Sequence, residues 1–211
     1  ASILAINQSV EFNDTTKGNI NQLFNQDKYF KFINVPVGNV NYSEINKYNL
    51  IILNGVNSIS SGLQNELIKY VSAGGDLVVF PGEQTDVKSY NELLLSLNIG
   101  RINNKDTANT KVSVLNYNHP LYSAVFEEAP KKIDLPKVFG YYPLSKNTQS
   151  RSENLMSLQN QTNQSMSATL LITHEENRFI IKINFADPES GIMFPTQQIT
   201  CEKRAEIPAK T

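Results

Sequence analysis

Apolar residues between positions 50 and 80 change their spacing twice. Residues 50–53 form an unbroken apolar run, and residues 77–80 form a second one that contains two adjacent valines. Between the two runs, apolar side chains recur at helical spacing and would form one buried stripe: Leu63, Leu67, Tyr70 and Val71. Short uninterrupted apolar runs are typical of strands covered on both faces. The pattern therefore predicts a strand–helix–strand unit with parallel strands.

The residues at the ends of this predicted helix support the same unit. Ser61 is the predicted N-cap, and Gln64, three residues later, is its predicted capping-box partner. Gly74 and Gly75 can adopt the left-handed conformation that ends many helices. Pro81-Gly82 then ends the second strand.

The alternation of strand and helix patterns extends over residues 1–100. Residues 3–6 and 29–35 are predicted strands, and Asp86 is the predicted N-cap of a later helix. A helix is predicted between the first two strands, with three apolar side chains on its buried side: Ile20, Leu23 and Phe24. The sequence therefore predicts an α/β fold with a doubly wound, mostly parallel, flavodoxin-like sheet.

After residue 100 the pattern becomes irregular. Short strands are predicted at residues 111–115 and 155–158. Residues 168–173 and 179–185 are predicted to form a C-terminal β-hairpin extension. We therefore expect one α/β domain over residues 1–185, followed by an irregular tail over residues 186–211.

Composition and charge limit the classes of function. The chain has 211 residues and a formal net charge of −1, so no nucleic-acid partner is expected. The lone cysteine, Cys201, excludes an internal disulfide framework and a multi-cysteine metal site. No metal site and no cofactor are expected.

The sequence also bears on membranes and on the length of the parent protein. No apolar run approaches the roughly 18 residues of a membrane-spanning helix, so no span is expected in this sequence. The chain enters its first predicted strand almost at once, with neither an initiator methionine nor a signal peptide. We therefore expect it to be a fragment of a longer protein.

Polar residues follow the predicted parallel strands, whose carboxyl ends meet at one edge of the sheet. Asn7 and Asn54 come directly after predicted strands, and Glu83 and Gln84 lie in the turn after the strand that ends at Phe80. Open α/β sheets bind ligands at this edge. Amides both donate and accept hydrogen bonds, so this edge suits a neutral polar ligand or a partner's backbone. His119 is a further candidate, with local hydrogen bonding in its loop as the alternative.

Gly82-Glu83-Gln84 aligns with the end of the Gly-x-Cys-x-Gly-His-Gln motif of active glutamine amidotransferases. The chain resembles the class I glutamine amidotransferase-like superfamily, and this alignment places Phe80 at the nucleophile position. The His-x-Glu pair of active members has its only counterpart in His174-Glu175-Glu176, within the predicted hairpin turn. Because a thiolate and a neighbouring base are both required, we expect no catalytic residues for glutaminase chemistry.

A closer resemblance rests on two segments. One is the helix end Leu67-x-x-Tyr70-Val71-x-x-Gly74-Gly75 followed by Val78-Val79-Phe80-Pro81, and the other is residues 118–121 followed by Val125-Phe126. In these two segments the chain resembles proteins of the trehalose-utilisation type and domains of membrane-anchored bacterial proteins of the BatA type.

This resemblance implies a non-catalytic binding or scaffolding module of a larger envelope-associated bacterial protein. Its partners would be another protein or the neighbouring domains of the parent chain. The module would face the periplasm, and a cytoplasmic location stays open. The alternative is a sugar-related hydrolase or isomerase of trehalose-utilisation type, which would use Glu83, His119 and Asp86 at the sheet edge.

Overall fold

The computed structural model describes residues 1–8, 20, 24, 28–119, 122, 135, 137–146, 155–159 and 180–182. Within these residues the strands are β1 (Ser2–Asn7), β2 (Lys31–Pro36), β3 (Leu50–Asn54), β4 (Asp76–Phe80), β5 (Gly100–Ile102), β6 (Thr110–Leu115), β7 (Lys137–Val138), β8 (Leu144–Lys146), β9 (Met156–Leu158) and β10 (Ile180–Lys182). The helices are α1 (Ser61–Ser72), α2 (Val87–Ser96) and two 3₁₀ helices, Val37–Asn39 and Tyr42–Lys47.

Five parallel strands form the main sheet, in the order β10-β4-β3-β1-β2. This is the flavodoxin-like order, with β10 in the place of the fifth strand, and the direction of growth reverses next to β1. The predicted doubly wound α/β fold and its strand–helix–strand unit β3-α1-β4 are therefore confirmed.

The two faces of this sheet pack against different parts of the chain. One face carries alternate residues of β1, β3 and β4, such as Leu53, and packs against α1 and α2 in the largest hydrophobic cluster. The opposite face has a smaller buried cluster: Ile3, Ala5, Ile52 and Val78. Ile20 and Phe24 pack against that cluster, as predicted, and Phe24 stacks on Phe32 with ring centroids 5.4 Å apart. Leu23 lies outside the described residues.

The N-cap of α1 is Ser60, and the prediction of Ser61 was wrong. The Ser60 hydroxyl accepts a hydrogen bond from the backbone N–H of Leu63. Gln64 is not its capping-box partner. Its side-chain amide points into the protein and donates to the carbonyls of Ile59 and Ser89. Gln64 therefore joins the start of α1 to α2.

The two glycines after α1 have different roles. Gly74 has a φ of 105° and occupies the left-handed region, as predicted. Gly75 is not among the residues with positive φ; a Cβ atom there would overlap the ring of Tyr70. Gly75 is thus required by close packing.

The capping assignment leads to the first testable expectation. Replacing Ser60 by alanine should lower the free energy of unfolding by about 1 kcal/mol, because the N–H of Leu63 loses its acceptor. Ser61→Ala is the matched control, since Ser61 is already helical and exposed, and should change stability by less than about 0.5 kcal/mol. Urea denaturation of both variants measures the difference. An equal loss in the two variants would contradict the assignment.

Beyond residue 100, short strands form two further sheets. β5 pairs with β8, and β6 pairs with β7 and β9, all antiparallel. The predicted strands at 111–115 and 155–158 are confirmed as β6 and β9. Four buried residues form a separate small core here: Val112, Val138, Tyr141 and Leu158.

Residues 180–182 of the predicted C-terminal hairpin belong to the main sheet, where they pair in parallel with β4. The first predicted hairpin strand, residues 168–173, lies outside the described residues. So do His174, Cys201 and the predicted tail. The domain boundary at residue 185 stays a prediction. Within the part of the chain that the structure describes, neither α-helix is long and apolar enough to cross a lipid bilayer.

Candidate functional site

The carboxyl ends of the central strands place three residues in one row. Asn7 pairs with Asn54 across β1 and β3, and Asn54 pairs with Phe80 across β3 and β4. Paired residues of neighbouring strands point to the same face of a sheet. Asn7, Asn54 and Phe80 therefore continue the face that carries Ala5, Ile52 and Val78.

Three asparagine side chains are hydrogen-bonded in series across this face, and we call Asn34, Asn7 and Asn54 the amide ladder. Asn7 Nδ2 donates to Asn34 Oδ1. Asn54 Nδ2 donates to Asn7 Oδ1 over 2.7 Å. Asn7 is only 1% exposed, so its amide must be paired inside the protein to offset the cost of burial. The ladder thus satisfies Asn7 on both sides.

Two carboxamide groups at this edge keep unused hydrogen-bonding capacity within the described part of the chain. Asn54 uses one N–H of its amide, and its Oδ1 accepts no hydrogen bond there. Gln8 Oε1 accepts from the backbone N–H of Asn57 over 2.7 Å, and its Nε2 donates to no described residue. Both side chains are half-buried. Among the described residues, these two side chains therefore keep neutral donor and acceptor groups without a partner.

The loop after β4, residues 81–86, directly follows Phe80, and we call it the elbow loop. It is bonded to the loop after β3, residues 55–60. Gly55 N–H donates to the Phe80 carbonyl over 2.9 Å, and Asp86 N–H donates to the Asn57 carbonyl over 2.7 Å. The two loops consequently form one hydrogen-bonded unit.

Two glycines allow this close approach. Gly55 has a φ of 63°, which favours glycine. A Cβ atom at Gly82 would lie 2.9 Å from both the Cα and the carbonyl oxygen of Gly55. Any side chain at position 82 would therefore force the two loops apart.

Two buried tyrosines hold the loops from the protein side. Tyr142 Oη donates to the carbonyls of Gly82 and Glu83, at 2.9 and 3.1 Å. Tyr90 Oη donates to the carbonyl of Val56 over 2.6 Å. Burial raises the pKa of the Tyr90 phenol, so it stays a protonated donor at neutral pH. Together the tyrosines fix the backbone of both loops.

The remaining predicted site residues each have a separate local environment. Glu83 and Gln84 are exposed on the elbow loop. Glu83 Oε1 lies 3.6 Å from Lys105 Nζ. His119 is buried in a turn, where its backbone N–H donates to the backbone carbonyl of Asn116. Asp86 caps α2, as predicted, by accepting from the N–H of Lys88.

Of the predicted site residues, the structure joins Asn7 to Asn54 by a direct hydrogen bond. Sequence reasoning missed Asn34, Gln8 and Tyr142. Gln8 could have been found, because it follows directly after β1. Among the residues that the structure describes, no group of three or more His, Cys, Asp or Glu side chains could hold a metal ion.

The family of this chain follows from a sequence comparison. A family model described as "GLMA-like, second domain" matches residues 6–134. The match spans more than half of the chain. It includes the last two residues of β1, strands β2 to β6, the amide ladder and the elbow loop. The chain belongs to this family. No curated protein is significantly similar to it in sequence.

Solved structures share the fold at low sequence identity. The cytoplasmic protein STM3548 from Salmonella typhimurium is 12% identical, with 79% of this chain and 81% of that chain covered, at a TM-score of 0.55. A ThuA-like protein from Bacteroides uniformis is 16% identical, with 74% and 67% covered, at a TM-score of 0.50.

A larger enzyme contains the same fold as one part. The GH42 β-galactosidase Gan42B from G. stearothermophilus is 10% identical, with 90% of this chain but 28% of that chain covered, at a TM-score of 0.53. At such identities these likenesses show the α/β fold, which is that of the ThuA-like proteins. The fold implied by the trehalose-utilisation resemblance is thus confirmed.

Proposed function

We propose that this member of the GLMA-like second-domain family is a non-catalytic binding module of a larger protein. The observation that carries the proposal is the end of β4, where Phe80 occupies the position that the sequence alignment assigns to the nucleophile. Phe80 is half-buried and packs against the apolar cluster of Ile3, Ala5, Ile52 and Val78. A phenyl ring can neither attack a carbonyl carbon nor form a thioester.

The surroundings of Phe80 support the same proposal. A catalytic elbow needs a nucleophile and a base within hydrogen-bond reach of each other. Here the acidic groups nearby have other partners, since Glu83 lies beside Lys105 and Asp86 caps α2. The backbone carbonyls of the elbow loop accept hydrogen bonds from Tyr142. These hydrogen bonds restrict the movement of the elbow loop.

The ligand of such a module would be neutral and polar. Asn54 Oδ1 and Gln8 Nε2 lie at the sheet edge without a hydrogen-bond partner among the described residues, and neither carries charge. An amide acceptor and an amide donor complement a hydroxyl group or a peptide unit better than they complement an ion. Asn7, Asn54, Glu83, Gln84 and His119 remain the proposed ligand-binding residues, and a protein partner is the proposed occupant.

The family and one fold neighbour support a role within a longer chain. The matching model describes a second domain, and the fold fills 28% of the β-galactosidase chain. We extend the proposal to an envelope-associated bacterial parent whose periplasmic side carries this module, on the strength of the resemblance to BatA-type proteins. Binding to neighbouring domains of that parent would make the module a scaffold.

A catalytic assay tests the central claim. The purified chain should release no ammonia from glutamine above the buffer background, because no thiolate can form at position 80. Ammonia release that is abolished by Cys201→Ala would overturn both the alignment and the proposal. Turnover of a trehalose-type sugar that is lost in Glu83→Gln would instead favour the hydrolase or isomerase. The two variants serve as controls for each other, since each removes one candidate group.

A further inference from the structure

The predicted ligand residue Asn54 precedes Gly55, and this is the single Asn-Gly dipeptide of the chain. Glycine has no side chain to hinder attack of its backbone nitrogen on the preceding asparagine, so this dipeptide deamidates readily in flexible peptides. We propose that Asn54 is a site of spontaneous deamidation whose rate is controlled by opening of the two loops at the ends of β3 and β4.

The reaction needs only water as a co-reactant. The backbone nitrogen of Gly55 attacks Cγ of Asn54, and the new C–N bond closes a succinimide ring. The Cγ–Nδ2 bond breaks, and ammonia leaves with the proton that Gly55 nitrogen has lost. Water then opens the ring at either carbonyl, which yields aspartate or isoaspartate at position 54.

Two hydrogen bonds of the folded protein oppose this reaction. The attacking nitrogen donates its proton to the Phe80 carbonyl over 2.9 Å, so losing that proton costs a backbone hydrogen bond. The leaving nitrogen, Asn54 Nδ2, donates to Asn7 Oδ1 over 2.7 Å. Both bonds must break before the ring can close. Deamidation of the folded chain therefore proceeds through a locally opened state.

The product would change the chemistry of the sheet edge. An aspartate at position 54 has no N–H to donate, so a carboxylate oxygen would face Asn7 Oδ1, which is another acceptor. A neutral edge would gain a negative charge beside the buried Asn7. The modification would thus convert a surface suited to neutral ligands into one that repels anions.

The contact between Gly55 and Gly82 supplies the variant for a test. A methyl group at Gly82 would lie 2.9 Å from backbone atoms of Gly55 and should push the loops apart, which weakens the bond from Gly55 to Phe80. Gly38→Ala is the matched control, since a Cβ at Gly38 would meet no atom of another described residue within 4 Å, apart from its own helix and chain neighbours. Tyr142→Phe is a milder second variant, because it removes the donor that holds the Gly82 and Glu83 carbonyls.

The experiment follows Asn54 by peptide mapping and mass spectrometry during incubation at mildly alkaline pH. Wild type is incubated folded and in urea, and circular dichroism records the folded fraction of every variant. We expect rapid modification in urea, slow modification of folded wild type and Gly38→Ala, and roughly tenfold faster modification of folded Gly82→Ala. Tyr142→Phe should fall between wild type and Gly82→Ala.

Three results would overturn the proposal. One is folded wild type modified as fast as the urea sample, which would mean that the two hydrogen bonds give no protection. Another is an absence of modification at Asn54 in urea. The third is deamidation of folded Gly82→Ala that is no faster than deamidation of Gly38→Ala. If Gly82→Ala does not fold, the proposal is overturned by deamidation of Tyr142→Phe that is no faster than that of Gly38→Ala.

Discussion

Replacing Ile52 by alanine should lower the free energy of unfolding by about 2–5 kcal/mol, the range for a large-to-small change in a packed core. Ile52 lies in the middle of β3, between Ala5 of β1 and Val78 of β4. It is 3% exposed and belongs to the smaller of the two clusters that cover the sheet. Because β3 is paired on both sides, the backbone cannot move into the cavity left by the smaller side chain without disturbing the sheet. We expect a loss in the upper half of that range.

Urea denaturation of wild type and variant measures this loss. Val114→Ala is the matched control, since Val114 also lies in a strand but is 58% exposed. It should change stability by less than about 0.5 kcal/mol. A loss well under about 1 kcal/mol in Ile52→Ala would contradict the position of β3 at the centre of the sheet.

The strand–helix–strand unit could be predicted from sequence because its signals are local. Apolar runs at residues 50–53 and 77–80 flank a stripe at helical spacing, and each pattern fits inside one element. The N-cap could not be resolved in the same way. Ser60 and Ser61 are adjacent and chemically equal, and only the backbone conformation decides which hydroxyl reaches the N–H of Leu63.

The fifth strand of the sheet shows a limit of local reasoning. The sequence predicts a strand at the residues of β10, but their partner in the sheet is β4, about a hundred positions earlier. A hairpin with the preceding apolar segment fits the local pattern equally well. Only the three-dimensional arrangement places these residues beside β4.

The candidate site could be predicted only in part, because some of its contacts follow from fold rules and others do not. Asn7 and Asn54 follow predicted parallel strands, so their meeting at one edge could be inferred from fold rules. Asn34 lies inside β2 and reaches Asn7 only because of the register between β1 and β2. Tyr142 contacts the elbow loop from about sixty positions away in the sequence. Neither register nor such a distant contact leaves a local signal.

The amide ladder leads to the last prediction, which tests whether Asn7 must be neutral. Asn7→Asp should lower the free energy of unfolding by at least about 2 kcal/mol at pH 7, because a carboxylate is nearly isosteric but carries a charge into a site that is 1% exposed. The carboxylate can still accept from Asn54 Nδ2, but it has no proton to donate to Asn34 Oδ1.

The loss in Asn7→Asp should depend on pH in a defined direction. Burial disfavours the charged form, so the folded-state pKa of the new carboxyl should lie above its usual value of about 3.9. The folded state then binds more protons than the unfolded state between these two pKa values, and the stability of the variant relative to wild type rises as the pH falls. Protonation also restores a donor for Asn34.

Denaturation of wild type and variant across pH 4–8 measures this difference, with Asn103→Asp as the matched control. Asn103 is exposed and donates to Ser145 Oγ at 3.2 Å, so its replacement should change stability by less than about 0.5 kcal/mol at pH 7. If Asn7→Asp were as stable as Asn103→Asp at pH 7, the ladder would not require a neutral centre. A large loss that stayed constant on acidification would mean that shape at this position, and not charge, limits the stability of the sheet edge.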